Sequence, residues 1–141
     1  MTISNADELN WILDDLVDRL AGSRHAVVHS TDGLLLGRSS AMNQEDAEHF
    51  GAISSTLYGL ARSAGSRFNG GGVRQAAIEL DDAVLFVTAA GSHACLALLA
   101  GEQADLGTVA YELNLTVRRV GAYLSTTPRQ PISRQVQQRL L

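Results

Sequence analysis

Gly70, Gly71 and Gly72 form the only glycine run in this sequence that could cradle a phosphate. A phosphate loop needs a following Gly-Lys-Ser/Thr and a helix whose N-terminus faces the anion, because the lysine and the helix dipole supply the charge. Here a predicted strand follows instead, and all eleven basic residues of the chain are arginine. The absence of lysine also excludes Schiff-base chemistry and lysine general bases. The run is therefore interpreted as a connecting loop.

The other reactive side chains lack the neighbours that catalysis or metal binding requires. His25 and His29 share a predicted strand face, but two histidines without a nearby carboxylate or cysteine set are weak evidence for a metal site. Ser92 and His93 lack the Gly-x-Ser-x-Gly context of a nucleophile elbow. Cys95 lies within an apolar run, where a buried thiol is inert. We predict no catalytic, cofactor or metal site, and hence no enzyme.

Composition narrows the class of protein further. The chain has 141 residues, of which 45% are hydrophobic and 18% are charged, as expected for one globular domain. Its net charge of −4 argues against nucleic acid as a partner. No apolar run is long enough to span a membrane and no signal peptide is visible, so we expect a cytoplasmic protein.

Apolar periodicity and turn residues predict the order α-β-β-α-β-β-β-α. Thr31-Asp32-Gly33 joins two short apolar runs in a hairpin, and three further strands follow the glycine run. Leu34, Leu35 and Leu36 are consecutive, which indicates a strand covered on both sides. We therefore predict an α+β domain over residues 1–125, with a five-stranded antiparallel sheet and helices on both faces. Residues 126–141, rich in Gln and Arg, are expected to form a flexible C-terminal tail.

The second predicted helix, from Asn43 to about Phe68, has two contrasting faces. One carries Phe50, Ile53, Leu57, Leu60, Ala64 and Phe68, and nearly opposite lie Gly51, Ser55, Gly59 and Ser63. Each mid-helix glycine costs roughly 1 kcal/mol relative to alanine. Close approach of the same helix from a second subunit would compensate that cost; the alternative is the Gly/Ala/Ser-rich composition of the chain.

Two further features indicate a contact surface. The predicted strand from Val73 to Leu80 mixes polar and apolar residues, as edge strands do, and an edge strand must be blunted or paired. Trp11 lies opposite the apolar stripe of the first helix, which runs from Leu9 to Leu20. It is either covered by another segment or part of an exposed contact surface.

Three stretches carry a resemblance to a known family: AVVHSTDGLLLGRS, GAISSTLYGLARSAG and GGGVRQAAIELDDAVLFVTAAGSHACLALLA. With the order of elements, they resemble a roadblock / dynein-light-chain domain over about residues 5–125. The likeness is to the bacterial kind related to the gliding-motility regulator MglB. More narrowly, the chain is similar to the roadblock proteins encoded in conservon signalling operons of high-GC bacteria.

The resemblance implies a profilin-like fold and a homodimer, or a heterodimer with a homologous chain. In such dimers the sheets join edge to edge and the second helices pack side by side. It also implies a small Ras-like GTPase as partner, and the neighbouring genes of such operons add a sensor histidine kinase. Mapped onto this chain, the dimer or partner interface comprises Gly51, Ser55, Tyr58, Gly59, Arg62, Ser63, Val73, Gln75, Ala77 and Glu79.

The expected function is therefore that of a non-enzymatic dimeric adaptor that regulates a small Ras-like GTPase in bacterial signal transduction. The alternative is a small-molecule-sensing module on a similar sheet, with its ligand under the second helix. A sensor requires a polar-lined pocket there, whereas an adaptor requires a filled core and an apolar surface for its partner.

Overall fold

Three helices and five strands follow one another in the predicted order. The computed structural model describes residues 5–126, so the predicted tail lies outside them except for Thr126, and its separation from the domain stays a prediction. The elements are α1 Asn5–Arg19, β1 Ser23–Ser30, β2 Leu35–Arg38, α2 Gln44–Arg67, β3 Gln75–Glu79, β4 Ala83–Ala89, β5 Ala94–Gly101 and α3 Leu106–Thr126.

The five strands form one antiparallel sheet in the order β2-β1-β5-β4-β3. The two longest strands, β1 and β5, pair with each other inside the sheet, with Val27 opposite Ala97. The short strand β2 and the polar strand β3 lie at the two edges, which confirms the predicted sheet.

Alternate residues of the strands face two separate cores, which confirms the prediction of helices on both faces. On one face α1 and α3 pack against Val28, Phe86 and Leu98. On the other, α2 alone packs against Val27 and Val87. A single helix is about 10 Å wide, whereas five strands spaced about 4.8 Å apart span roughly twice that width. The α2 face is therefore the less covered one.

Helix α1 follows its predicted stripe closely and also closes one edge of the sheet. Leu9, Ile12, Leu13, Leu16 and Leu20 are all buried. From the polar side of the helix, Asn10 Oδ1 accepts a hydrogen bond from the Arg38 backbone N–H at 2.8 Å. Asp14 Oδ1 likewise accepts from the Ser40 N–H at 2.7 Å. Backbone donors at the β2 edge are thus satisfied within the chain.

Helix α2 departs from the sequence expectation. Its cap is as predicted, because Asn43 Oδ1 accepts from the Asp46 N–H at 2.8 Å. Of the predicted apolar face, however, only Phe50 is buried. The buried residues are Ala47, Phe50, Gly51 and Ser54, whose centre lies roughly 80° around the helix from the apolar stripe at 100° per residue. Small side chains let the helix approach the sheet, and they decide which side faces inwards.

Gly22 provides a test of the packing between the start of β1 and the loop before α3. Its φ is +88°, and an added Cβ would lie 2.9 Å from the Ala104 backbone nitrogen. Gly91 has the same φ, but nothing lies within 4 Å of its Cβ position. Both alanine variants carry the left-handed strain of about 1–2 kcal/mol. We expect Gly22→Ala to lower the free energy of unfolding in urea clearly more than Gly91→Ala. Equal decreases in the free energy of unfolding for the two variants would show that the loop at Ala104 moves to accommodate the added Cβ.

A candidate interaction surface on the second helix and third strand

The open edge of the sheet is the first component of this surface. Among the strands of residues 5–126, β3 pairs only with β4. Four of its five residues are exposed. In contrast with the β2 edge, where Asn10 and Asp14 engage the backbone, β3 presents the template to which a further strand can add.

The register of β3 shows which side chains lie on which face. Ala76 pairs with Val87 and Ile78 with Leu85, so both lie on the α2 side of the sheet. Gln75, Ala77 and Glu79 point to the opposite side. Ile78 is 39% exposed although it stands next to a buried leucine, because none of the helices within residues 5–126 covers this end of β3.

A row of residues, apolar except for His25 and called the apolar row below, crosses the α2 face at the same end of the sheet. Its members pair from strand to strand: His25 with Leu99, Leu99 with Leu85, and Leu85 with Ile78. The row lies at the start of β1 and the end of β3. It is therefore far from the turn between β1 and β2.

Helix α2 is anchored at the opposite end, over that turn. The Ser55 hydroxyl donates a hydrogen bond to the Thr31 carbonyl oxygen at 3.0 Å. A Cβ at Gly51 would lie 3.6 Å from His29 Cβ and 3.7 Å from the Gly33 oxygen. These contacts hold one side of α2 against the β1–β2 turn, so the other side faces the apolar row.

That other side carries a stripe of large apolar residues. Ile53 and Leu60 are 46% and 64% exposed, and Leu57 between them is half-buried. The spacing places all three away from Gly51 and Ser55. Contiguous exposed apolar area of this kind marks interaction sites. We call this the α2–β3 surface: Ile53, Leu57, Leu60, Ile78 and Leu80, with the open edge of β3.

Two residues of the predicted interface do not lie on any outer face. Gly51 is buried and Ser55 is half-buried, and both contact the chain's own β1–β2 turn. Both residues therefore have a role within one subunit, and their contact with a second copy stays a prediction. Their small size is explained within one subunit, because a larger side chain at Gly51 would meet His29.

The remaining predicted interface residues are accessible to different extents. Tyr58 is half-buried in the core under α2, and the Arg62 guanidinium carbon lies 5.9 Å from the centre of its ring. Gly59 and Ser63 are exposed, with nothing within 4 Å of a Cβ at Gly59. Val73 is half-buried just before β3, and Gln75, Ala77 and Glu79 are exposed. Their contact with a second copy stays a prediction.

Sequence reasoning assigned Ile53 and Leu60 to an apolar face but did not recognise that face as a surface. Ile78 and Leu80 belong to the strand Val73–Leu80 that was predicted as a contact edge, but the sequence did not single them out as its exposed apolar residues. The signal was present, because that apolar stripe continues to Phe68, longer than the part of the helix that the sheet buries. The sequence of α2 does not show where the part of the helix that packs on the sheet ends.

The residues with possible chemistry lie apart from this surface or are inert. Burial raises the pKa of the Cys95 thiol to about 11, so the thiol stays protonated. Ser92 and His93 are exposed in the turn between β4 and β5. Within residues 5–126, no three His, Cys, Asp or Glu side chains are placed to share a metal ion. No helix in that range is long and apolar enough to cross a membrane.

The space under α2 is occupied by side chains. Val27, Ala47, Phe50, Val87 and Ala97 pack there as one buried cluster. A mainly apolar cavity of about 390 Å³, beside Leu36, His93 and Leu124, lies at the end of α3 instead. This packing favours the platform interpretation over a ligand site beneath α2.

His29 is the one fully buried histidine beneath α2. Its Nδ1 lies 2.7 Å from the Ser30 carbonyl oxygen, to which it donates in the neutral ring. Its Nε2 is buried without a hydrogen-bond partner. Burial lowers the pKa of the imidazole below its ordinary value, because a charge here would lose its hydration.

The fold and the surface define a class: a five-stranded sheet between three helices, with one free edge and an apolar helix face beside it. The chain belongs to the Roadblock/LC7 domain family, whose model matches residues 9–100. The sequence matches none of the curated proteins with which it was compared.

Solved structures extend this assignment. The chain is 44% identical to a Roadblock/LC7 domain from Streptomyces avermitilis, with a TM-score of 0.80, covering 83% of this chain and 98% of that one. It is 15% identical to the gliding protein MglB of Thermus thermophilus, with a TM-score of 0.78 over 90% of this chain and 96% of that one. An MglB with tetrameric arrangement matches at 16% identity and a TM-score of 0.76, covering 87% and 92%. The two MglB likenesses show the fold.

The buried His29 leads to a pH prediction. Below about pH 6.5 the unfolded chain binds a proton that the folded chain does not take up. Stability therefore falls as pH decreases through this range. We expect His29→Gln, whose amide can still donate to Ser30, to reduce the loss of thermal stability between pH 7.5 and 5.5.

The exposed His49, in the first turns of α2, provides the matched control. His49→Gln should leave the pH dependence of the melting temperature unchanged. A pH profile of His29→Gln that superimposes on that of the unsubstituted protein would exclude His29 as the titrating group.

Proposed function

We propose that this chain is a non-enzymatic adaptor that forms a dimer and regulates a small Ras-like GTPase in bacterial signal transduction. The single observation that carries the proposal is the α2–β3 surface, an apolar patch continuous with a free sheet edge. Membership of the Roadblock/LC7 family supports it, as does the common fold with MglB proteins, one of which is described as a gliding protein.

The dimer we propose joins β3 to the β3 of a second copy across a two-fold axis. Antiparallel pairing of identical edges satisfies backbone groups on both copies at once. It also brings the two α2 helices together over the uncovered end of the sheet, where Ile53 and Leu60 of each copy meet the other's apolar row. Burial of each such side chain contributes about 1.5–3 kcal/mol. The tetrameric arrangement of one MglB supports self-association in this fold.

Regulation of a GTPase would then use the composite face that two copies present, since no reactive group of the α2–β3 surface can do chemistry alone. The side chains there are apolar, apart from exposed groups such as Arg62 and Ser63. An adaptor of this kind holds or repositions the elements of its partner. Heterodimers with a homologous chain and a complex with a sensor histidine kinase fit the same proposal.

Leu60 provides a direct test of the dimer. Leu60→Asp places an unpaired charge in the apolar contact, which is strongly unfavourable when buried. We expect it to convert the dimer to a monomer of unchanged secondary structure, as measured by sedimentation velocity and circular dichroism. The melting temperature should fall and lose its dependence on protein concentration, because association no longer stabilises the folded chain.

Ala52 serves as the control on the same helix. It is exposed and lies about 80° from Leu60 around α2, outside the stripe of Ile53, Leu57 and Leu60. Ala52→Glu adds the same charge to that other side and should leave the sedimentation coefficient unchanged. If Leu60→Asp remains dimeric, the contact is elsewhere.

The GTPase is tested separately from the dimer. The tagged protein and its Leu60→Asp variant are incubated with native lysate containing excess GDP or a non-hydrolysable GTP analogue, and bound proteins are read by mass spectrometry. We expect a Ras-like GTPase that is enriched with one nucleotide and depleted with the variant. The purified GTPase should then change its rate of GTP hydrolysis or nucleotide release when the adaptor is added. No change in either rate, with binding intact, would reduce the role to scaffolding.

A further inference from the structure

The opposite face of the molecule carries a second surface that the proposed dimer does not use. Trp11 is 62% exposed on α1 and borders a groove between α1 and α3. The volume of the groove is about 400 Å³. We call it the α1–α3 groove; it is lined by Glu8, Trp11, Ile12, Arg119, Ala122 and Tyr123. An indole this exposed beside a groove offers a large apolar contact to whatever occupies the groove.

The groove is held in place by a chain of charges. The Arg119 guanidinium carbon lies 5.4 Å from the centre of the Trp11 ring, and its Nη1 lies 2.7 Å from Asp15 Oδ2. Arg19 bridges Asp15 at 3.1 Å and Glu112 at 2.9 Å. The hydrogen bond from Arg119 and the charges of both arginines lower the pKa of Asp15. Trp11 is therefore presented in a fixed orientation, which lowers the ordering cost of binding.

We propose that the C-terminal segment, residues 127–141, docks in the α1–α3 groove of its own chain. The segment starts where the groove starts, because Ala122 and Tyr123 line the groove and α3 ends at Thr126. The pairs Asp15–Arg119 and Arg19–Glu112 show that α1 and α3 are antiparallel. A chain that turns back after Thr126 therefore runs along the groove beside α1.

The length of the segment is sufficient. On α3 the groove extends from Tyr123 back to Arg119, about 6 Å at 1.5 Å per residue. The fifteen residues from 127 to 141 reach about 50 Å when extended and about 22 Å as a helix.

The chemistry of the segment matches that of the groove. It carries three arginines and no acidic residue, while α1 carries five carboxylates and one arginine. Its apolar residues Ile132, Val136 and Leu140 recur every fourth position, which is the spacing of one helix face. Such a face could cover Trp11 while the arginines approach α1 carboxylates such as Glu8 and Asp18.

Trp11 itself reports on the proposal, because it is the only tryptophan in the chain. The experiment compares acrylamide quenching of its fluorescence in the full-length protein, in Val136→Asp and in Gln138→Asp. Both variants add one negative charge to the segment, but only Val136 belongs to the apolar face. We expect Val136→Asp to raise the quenching constant roughly twofold and shift emission to the red, as an indole passes from covered to exposed. Gln138→Asp should match the unsubstituted protein.

Three outcomes would overturn the proposal. Equal quenching in the two variants would show that the segment does not cover Trp11. If Trp11 becomes more accessible to acrylamide when the protein is diluted, a second copy covers it instead of the segment of its own chain. Protection lost in Leu60→Asp would tie it to the dimer, whereas docking within one chain is independent of the α2–β3 surface. Circular dichroism of each variant confirms that the helices and sheet are retained.

Discussion

The contact of α2 with the turn between β1 and β2 determines how the rest of that face is arranged. Gly51 lies against His29, and Ser55 donates to the Thr31 carbonyl oxygen. Because only small residues fit there, α2 turns its small side to the sheet and its large apolar side chains away from the anchor. The helix thus exposes Ile53 and Leu60 for a structural reason within one subunit. Gly51, which suggested a subunit contact in the sequence, thus packs within one subunit and leaves the large apolar side chains of α2 exposed.

The two faces of the sheet are covered by helices to different extents. On one, α1 and α3 together bury a large core that includes Leu13, Leu16 and Leu113. On the other, one helix leaves the row from His25 to Ile78 partly bare. The two edges of the sheet also differ. Side chains of α1 bind the backbone beside β2, whereas nothing among residues 5–126 pairs with the outer side of β3. Exposed apolar area and free backbone therefore coincide in one region.

The sequence was sufficient for the elements and their order but not for the orientation of every helix. The α1 stripe was read correctly because α1 has one apolar face and a polar remainder. In α2 either the apolar stripe or the small-residue stripe could face the sheet. The contact with the turn at Gly33 determines which one does, and the sequence of α2 alone does not show that contact. The role of Asn10 at the β2 edge was equally invisible, since it depends on a contact 28 residues away along the chain. The surface could be placed on α2 and β3 from sequence, but its apolar residues could not.

The bonds from Asn10 and Asp14 also set a limit on assembly. Open sheets with two accessible margins can recruit neighbours indefinitely and grow into fibrils. Here two backbone N–H groups at one margin, those of Arg38 and Ser40, already bind side chains of α1, so addition of a strand is favoured at the β3 edge instead. In the proposed dimer, two copies joined at β3 would form a ten-stranded sheet whose outer edges are both β2. The side chains bound there would oppose the addition of further strands.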